Sequence, residues 1–288
     1  MALLGRAVQF GRMIQFSHSV FALPFALTSA ALAVEGIPPP WRKLVWILVA
    51  MVGARSAAMG VNRLADHAID GKNPRTASRE LPSGRLRRRE VWGFVGLSSA
   101  AFVLAAAMLN PLCLALSPLA LAIVFGYSYT KRFTTLSHVA LGLALAIAPV
   151  GAWLAIRGAF ALPPIVLALA VLLWVAGFDV IYACQDVDFD RREGLHSLPA
   201  RLGVARALLL ARAMHFAAVA LLASLYALVP LHPLYLGGVG LIGLLLLYEH
   251  SLVHPEDLSR VDAAFFTTNA WVSVGYFVCT LLAVSYNR

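Results

Sequence analysis

A chain of 288 residues with 60% hydrophobic and only 13% charged residues is no ordinary soluble domain, whose composition runs to about 25% charged. The formal net charge of +9 first suggests nucleic acid, but Lys and Arg also collect on one side of membrane proteins, and their placement here makes nucleic acid an unnecessary hypothesis. Cys113, Cys184 and Cys279 lie far apart with no CxxC or zinc spacing, so they read as small packing residues.

Nine apolar runs are long enough to cross a bilayer: residues 14–34, 42–70, 90–109, 112–130, 136–156, 162–190, 204–229, 232–252 and 262–285. No stretch reads as a separate soluble domain. The expectation is therefore one polytopic all-α integral membrane domain over residues 1–288, with nine transmembrane helices in a bundle. At the start, Arg6, Arg12, the run from Val20 to Ala33 and the Ala31-Leu32-Ala33 triplet imitate a cleavable leader. Eight further spans need no leader, so retention is the expectation. His18 and Pro24 are the polar and kinking features of this first span.

The second span ends in MGVNRLADHAIDGKNPRTASRELPSGRLRRRE, residues 59–90. Asn62, Asp66 and Asp70 recur every four residues, so on a helix they stack along one face as a ladder of oxygen ligands. Ionisable groups at the end of an apolar helix are costly and usually functional. Oxygen donors on a rigid support suit a hard cation such as Mg²⁺, which is commonly shared with substrate phosphates. Lys72, Arg75 and Arg79 follow at once and offer cations to phosphate oxygens, whereas Arg85 to Arg89 read as a basic membrane-surface segment.

A second copy lies 120 residues later, in GFDVIYACQDVDFDRREGLHSLPARLG, residues 177–203. That shift carries Asp66 to Asp186, Asp70 to Asp190 and Asn62 to Tyr182. Asp179 precedes Asp186 by about two turns, and Asp188 sits between the pair. A shift of 121 also pairs Tyr127 with Tyr248. A weak internal repeat in register with functional-looking residues marks a duplicated membrane fold. With the second and sixth spans running the same way, the repeat is parallel. Placing the N-terminus in the cytoplasm puts 16 of the 23 Lys and Arg residues on the cytoplasmic side, together with both Asp motifs.

An apolar chain with a diphosphate head would give each of these features a task. Asp66, Asp70, Asp186 and Asp190 would hold Mg²⁺; Lys131, Arg132, Arg63, Arg75 and Arg79 would take the remaining oxygens of the leaving diphosphate. The π faces of Tyr127, Tyr129, Tyr182 or Phe178 would shield the allylic cation left behind. Helix packing or an interfacial belt is the plainer reading of any single one of these aromatics.

Taken together, NRLADHAID, DVIYACQDVDFD and YSYTKR resemble the UbiA-type membrane-embedded aromatic prenyltransferases over nearly the whole chain. The resemblance implies a nine-helix bundle with a central cavity open towards the membrane, Mg²⁺ dependence, and polyprenyl diphosphate and aromatic acid substrates. By position it gives Asn62, Asp66, Asp70, Asp186 and Asp190 metal and diphosphate roles, and Lys131 a diphosphate role. Arg63 stands where many members carry Asp, which leaves fewer carboxylates for the metal. NPRTASRELPSG, EGLHSLPARLG and FSHSVFALPFAL are similar to the 4-hydroxybenzoate polyprenyltransferase branch, which also includes enzymes acting on dihydroxynaphthoate. Arg55, Arg63 and Arg212 are candidates for holding an acceptor carboxylate, and Asp179 for orienting the acceptor or removing its proton. The expected location is the bacterial inner membrane, with no obligatory protein partner. A secondary transporter is the alternative from another class; its site would lie near the bilayer midplane rather than at helix ends.

Overall fold

The computed structural model describes residues 2–14, 21–34 and 40–286. His18 lies outside them. The described residues form α-helices without a β-strand: α1 (Ala2–Met13), α2 (Leu23–Leu32), α3 (Trp41–Lys72), α4 (Arg88–Leu109), α5 (Pro111–Thr130) and α6 (Ser137–Arg157) in the first half. The second half holds α7 (Leu162–Ala183), α8 (Val187–Glu193), α9 (Leu198–Leu202), α10 (Val204–Ser224), α11 (Leu234–Ser251) and α12 (Asn269–Tyr286).

Eight helices are long and apolar enough to span a membrane, and the ten-residue α2 stands where the first of the nine spans was expected. Only helices can satisfy every backbone group inside hydrocarbon without a closed sheet, which is why apolar runs of this length fold this way. The chain is an integral membrane protein. Exposed Leu, Val, Trp and Phe side chains along the spans, such as Leu97, Leu209 and Phe216, form its outer surface.

Sharp local signals set the helix ends. Asn110 caps α5 by accepting the Cys113 N–H at 2.9 Å, Pro111 fills the first turn, and the Asn110 amide donates to Leu154 O at 2.8 Å, tying this corner to α6. Gly158, at φ 69°, stops α6 in the left-handed conformation. Close helix contacts need a missing Cβ. At Gly142 such an atom would stand 2.4 Å from the backbone oxygen of Leu172, so α6 and α7 touch there backbone to backbone.

The internal repeat survives as geometry. α3 spans 32 residues, and α7 with the following 3₁₀ turn and α8 spans another 32, Leu162–Glu193. Their last residues meet, since Lys72 Nζ donates to Glu193 at 2.7 Å. The sixth span was expected as one continuous helix, but a 3₁₀ turn at Cys184–Asp186 divides it from α8. The tighter winding re-aims the carboxylates that follow.

An aromatic core fills the second half, where Phe25, Trp174, Phe178, Phe265 and Tyr276 pack ring to ring. Phe265 sits on a π-helical turn, Ala263–Thr268. A π turn displaces backbone hydrogen bonds, and here Asn269 answers for two of them by donating to Ala264 O and Phe265 O at 3.1 and 3.2 Å. Trp174 Nε1 donates to Asn269 Oδ1 at 2.7 Å, and the Asn269 amide also reaches the fully buried Glu249 at 2.9 Å.

Candidate active site

One cavity of about 460 Å³ runs into the bundle from the end where both Asp motifs lie. Asn62, Arg63, Asp66, Asp70, Arg75, Arg79, Tyr127, Lys131, Asp179, Tyr182, Asp186 and Asp190 all line it, whereas Lys72, Tyr129 and Arg132 do not. The inner part is apolar, walled by Met51, Phe102, Leu109, Leu116 and Ala148 among others.

The helix period accounts for this convergence. Asn62, Asp66 and Asp70 stand on one face of the last turns of α3. Asp179, Tyr182, Asp186 and Asp190 follow steps of three or four residues along α7, the 3₁₀ turn and α8, and face them. Asp188 falls off this face and is exposed.

Three of the four ladder carboxylates, Asp66, Asp70 and Asp186, are paired with cations. Lys131 Nζ donates to Asp66 Oδ2 at 2.7 Å, and Arg132 approaches the other oxygen at 3.5 Å. Asn62 Nδ2 also donates to Asp66, at 3.2 Å. Arg79 forks over both oxygens of Asp70 at 2.8 and 2.9 Å, while Arg63 stands 3.9 Å from the same group and donates to Met13 O at the end of α1. Arg75 crosses from the first motif's loop to grip both oxygens of Asp186, one through Nε at 3.1 Å. It also donates to Tyr182 Oη at 3.0 Å and lies over that ring, 5.1 Å from its centroid. Burial by itself would lower the Arg75 pKa, but the hydrogen bond and charge of Asp186 outweigh it and hold the guanidinium above its ordinary value. Arg75 is charged at every physiological pH.

Three residues that the sequence reading did not single out complete the site. Asn73 caps α3; its Oδ1 accepts the Arg75 N–H at 2.9 Å, and this local turn points its amide at Asp186, 3.0 Å away. The only sequence signal was an Asn immediately after the Asp ladder. His138, in the first turn of α6, bonds Asp179 at 2.6 Å. Ser197 lies against Asp190. Neither could be found without knowing which helices meet.

Other expectations are corrected. Tyr129 is 43% exposed on the outer face under Arg132 and does not line the cavity. Tyr248 is 53% exposed, so its offset from Tyr127 marks equivalent helices and not equivalent surroundings. Arg212 points outward, and Arg63 is already tied to Met13 and Asp70. Arg55 remains as a cavity-lining arginine; its Nε is buried without a hydrogen-bond partner among the described residues. At the exterior, Arg85 pairs with Glu80 and Glu90 with Arg6, away from the cavity.

Among the described residues no three acidic, His or Cys side chains are gathered tightly enough to cage a metal. The donor set is nonetheless all hard oxygen, arranged on two facing walls and neutralised by movable Arg and Lys heads. That arrangement fits a divalent cation shared with an anionic ligand and not one enclosed by protein alone.

A duplicated helical membrane bundle with paired carboxylate ladders above an apolar cavity defines a class of lipid-handling membrane proteins. The UbiA prenyltransferase family model matches residues 22–273, and the chain belongs to that family. It is 34% identical over 256 residues to the 4-hydroxybenzoate octaprenyltransferase of Xanthomonas euvesicatoria pv. vesicatoria, covering 88% of this chain and 83% of the relative. The enzyme of the same name from Vibrio parahaemolyticus is 30% identical, with 96% of both chains covered. Among solved structures, the apo UbiA homolog from Aeropyrum pernix K1 superposes with TM-score 0.82 at 37% identity, covering 91% of this chain and 97% of that one. The Archaeoglobus fulgidus homolog solved bound to GPP and Mg²⁺ has TM-score 0.76 at 21% identity, over 96% and 99% of the two chains, and shares the fold.

Proposed function

We propose that this protein transfers a polyprenyl group from its diphosphate to a ring carbon of 4-hydroxybenzoate, with Mg²⁺, at the cytoplasmic face of a bacterial inner membrane. The observation that carries the reading is the cavity itself: four carboxylates and their cations at one end, apolar walls at the other. It matches a substrate with a charged head and a hydrocarbon tail. The site also lies at the ends of the spans, which speaks against a midplane transporter site.

Asn62, Asp66, Asp70, Asp186 and Asp190 would hold Mg²⁺, which when bound neutralises diphosphate charge as the carbon–oxygen bond breaks. Arg75, Arg79 and Lys131 exchange their carboxylate partners for phosphate oxygens and stabilise the leaving group. Tyr127 lines the same cavity, and Tyr182, packed on Phe265 at 4.2 Å with the rings tilted by 31°, would turn its π face to the allylic cation beside Phe178 as Arg75 moves from over the ring to the diphosphate. The buried walls keep water from that cation. Arg55 lies seven residues, about 10 Å of helix, deeper than Asn62, and its unpartnered guanidinium suits the acceptor's carboxylate. Asp179 lies an equal step deeper than Asp186 and faces the acceptor's layer.

The test is product formation by purified protein with geranyl diphosphate and Mg²⁺, offering 4-hydroxybenzoate and 1,4-dihydroxy-6-naphthoate in parallel. Prenylated 4-hydroxybenzoate, lost without Mg²⁺ and in Asp66→Ala and Asp186→Ala, is the expected result. Product from the naphthoate alone would move the acceptor to the menaquinone route. Failure to bind the diphosphate would overturn the enzyme reading.

A further inference from the structure

The proposed reaction makes one demand that no residue has yet met. Once the ring carbon has bonded to the allylic carbon it still carries its hydrogen, and the ring stays cationic until a base removes that proton. The base must be positioned in the acceptor's layer of the cavity and oriented towards the ring.

His138 and Asp179 meet in the cavity wall, with Nδ1 and Oδ2 2.6 Å apart. The other ring nitrogen is occupied too: the Leu198 backbone N–H donates to His138 Nε2 at 3.3 Å. A nitrogen that accepts a hydrogen bond carries no proton, so the neutral imidazole has its hydrogen on Nδ1 and donates it to Asp179. The His138 side chain is 4% exposed, whereas that of Asp179 is 24% exposed and makes no other hydrogen bond among the described residues. One carboxylate oxygen is therefore fixed by the histidine, and the other is open to the cavity. The N–H that sets the tautomer starts α9, next to Ser197, which lies against Asp190. Core His215 is also bonded at both nitrogens, to Trp174 O and His250; what sets His138 apart is that its Nδ1 partner is a carboxylate lining the cavity.

Resting on the proposed function, we infer that His138 is a positioning residue that orients the Asp179 carboxylate to take the ring proton after carbon–carbon bond formation. The ring C–H bond breaks and its electron pair returns to the ring. The proton passes to the open oxygen of Asp179, and the resulting carboxylic acid gives it to water or to the released diphosphate. The logic is that of any functional group oriented by a partner whose tautomer is fixed from behind.

The experiment compares wild type, His138→Leu, His138→Asn and Asp179→Asn, turned over with geranyl diphosphate, Mg²⁺ and 4-hydroxybenzoate bearing hydrogen or deuterium beside the hydroxyl. In His138→Leu turnover should fall on the order of 10- to 100-fold with geranyl diphosphate affinity unchanged. A deuterium isotope effect absent from wild type should emerge in His138→Leu and Asp179→Asn, because proton removal becomes rate-limiting. His138→Asn places an amide nitrogen near the position of Nδ1 and should restore both quantities towards wild type. Slow turnover with no isotope effect, or wild-type turnover in His138→Leu, would overturn the inference. Should His138→Leu not fold, His138→Gln, which moves the donor to the Nε2 position, replaces it with the same expectation. Inactivity of the wild-type protein would instead sink the proposed function and the inference with it.

Discussion

The Arg75–Asp186 pair joins the two copies of the motif across the cavity mouth, and its contribution can be isolated by a double-mutant cycle. Each of the two charge-assisted bonds would contribute about 1.5–3 kcal/mol if fully buried. The side chains are 33% and 17% exposed, so solvent screening pulls the coupling towards the exposed-pair range of about 0.2–1 kcal/mol. A coupling of about 1–2 kcal/mol is expected for Arg75→Ala against Asp186→Ala in ligand-free protein, read from reversible denaturation in mixed micelles. The single variants should differ as well. Loss of Asp186 strands both Arg75 and the buried Asn73 amide, 3.0 Å from the lost oxygen, whereas loss of Arg75 leaves Asp186 its bond from Asn73. Asp186→Ala should therefore cost about 1–3 kcal/mol more than Arg75→Ala. Coupling indistinguishable from zero, or Arg75→Ala proving the costlier variant, would refute this account of the mouth.

Other elements give equally direct expectations. Arg55→Gln should raise the KM for 4-hydroxybenzoate by about 10- to 100-fold, the loss of one charge-assisted contact, with diphosphate binding unchanged; an unaltered acceptor KM would remove Arg55 from the acceptor site. Asn269→Leu strands the Trp174 N–H, the Glu249 carboxyl and two π-turn carbonyls together, so destabilisation of about 3–5 kcal/mol is expected. A loss below 1 kcal/mol would mean that the turn is held by something else. Gly142→Ala forces α6 away from Leu172 O and should cost about 1–3 kcal/mol in the same denaturation assay, where a neutral outcome would contradict the backbone contact.

What was legible in the sequence is what local pattern dictates. Apolar runs fixed the spans because hydrocarbon admits little else, and a four-residue spacing fixed the ladder because the helix period is itself four residues to within a fraction. What was not legible depends on which helices meet. Asn73 looks like any helix-ending residue until Asp186 arrives from the other half of the chain. His138 is an isolated histidine until Asp179 and Leu198 close on it. The shift of 121 that paired Tyr127 with Tyr248 did not carry over their surroundings, because a repeat preserves helix order and not the face a side chain presents.

The repeat also diverges where divergence serves the chemistry. The shift of 120 residues carries Asn62 to Tyr182. In the first copy the amide bonds Asp66 along its own helix and leaves its carbonyl for a ligand, adding an oxygen donor to the two carboxylates of this wall. In the second copy the phenol oxygen accepts from Arg75, which also lies over the ring, and Phe265 packs against the ring, which turns the same position into an aromatic surface beside the carboxylates. In the proposed reaction both walls would serve the diphosphate head through their carboxylates, and the second would add an aromatic face for the carbon that leaves it. The asymmetry also explains why the π turn carrying Phe265 is secured by four hydrogen bonds through Asn269, while no comparable device stands behind Asn62 among the described residues. The oxygen ladder needs only its own helix to stay in register, whereas the aromatic wall must be assembled from two helices and held together.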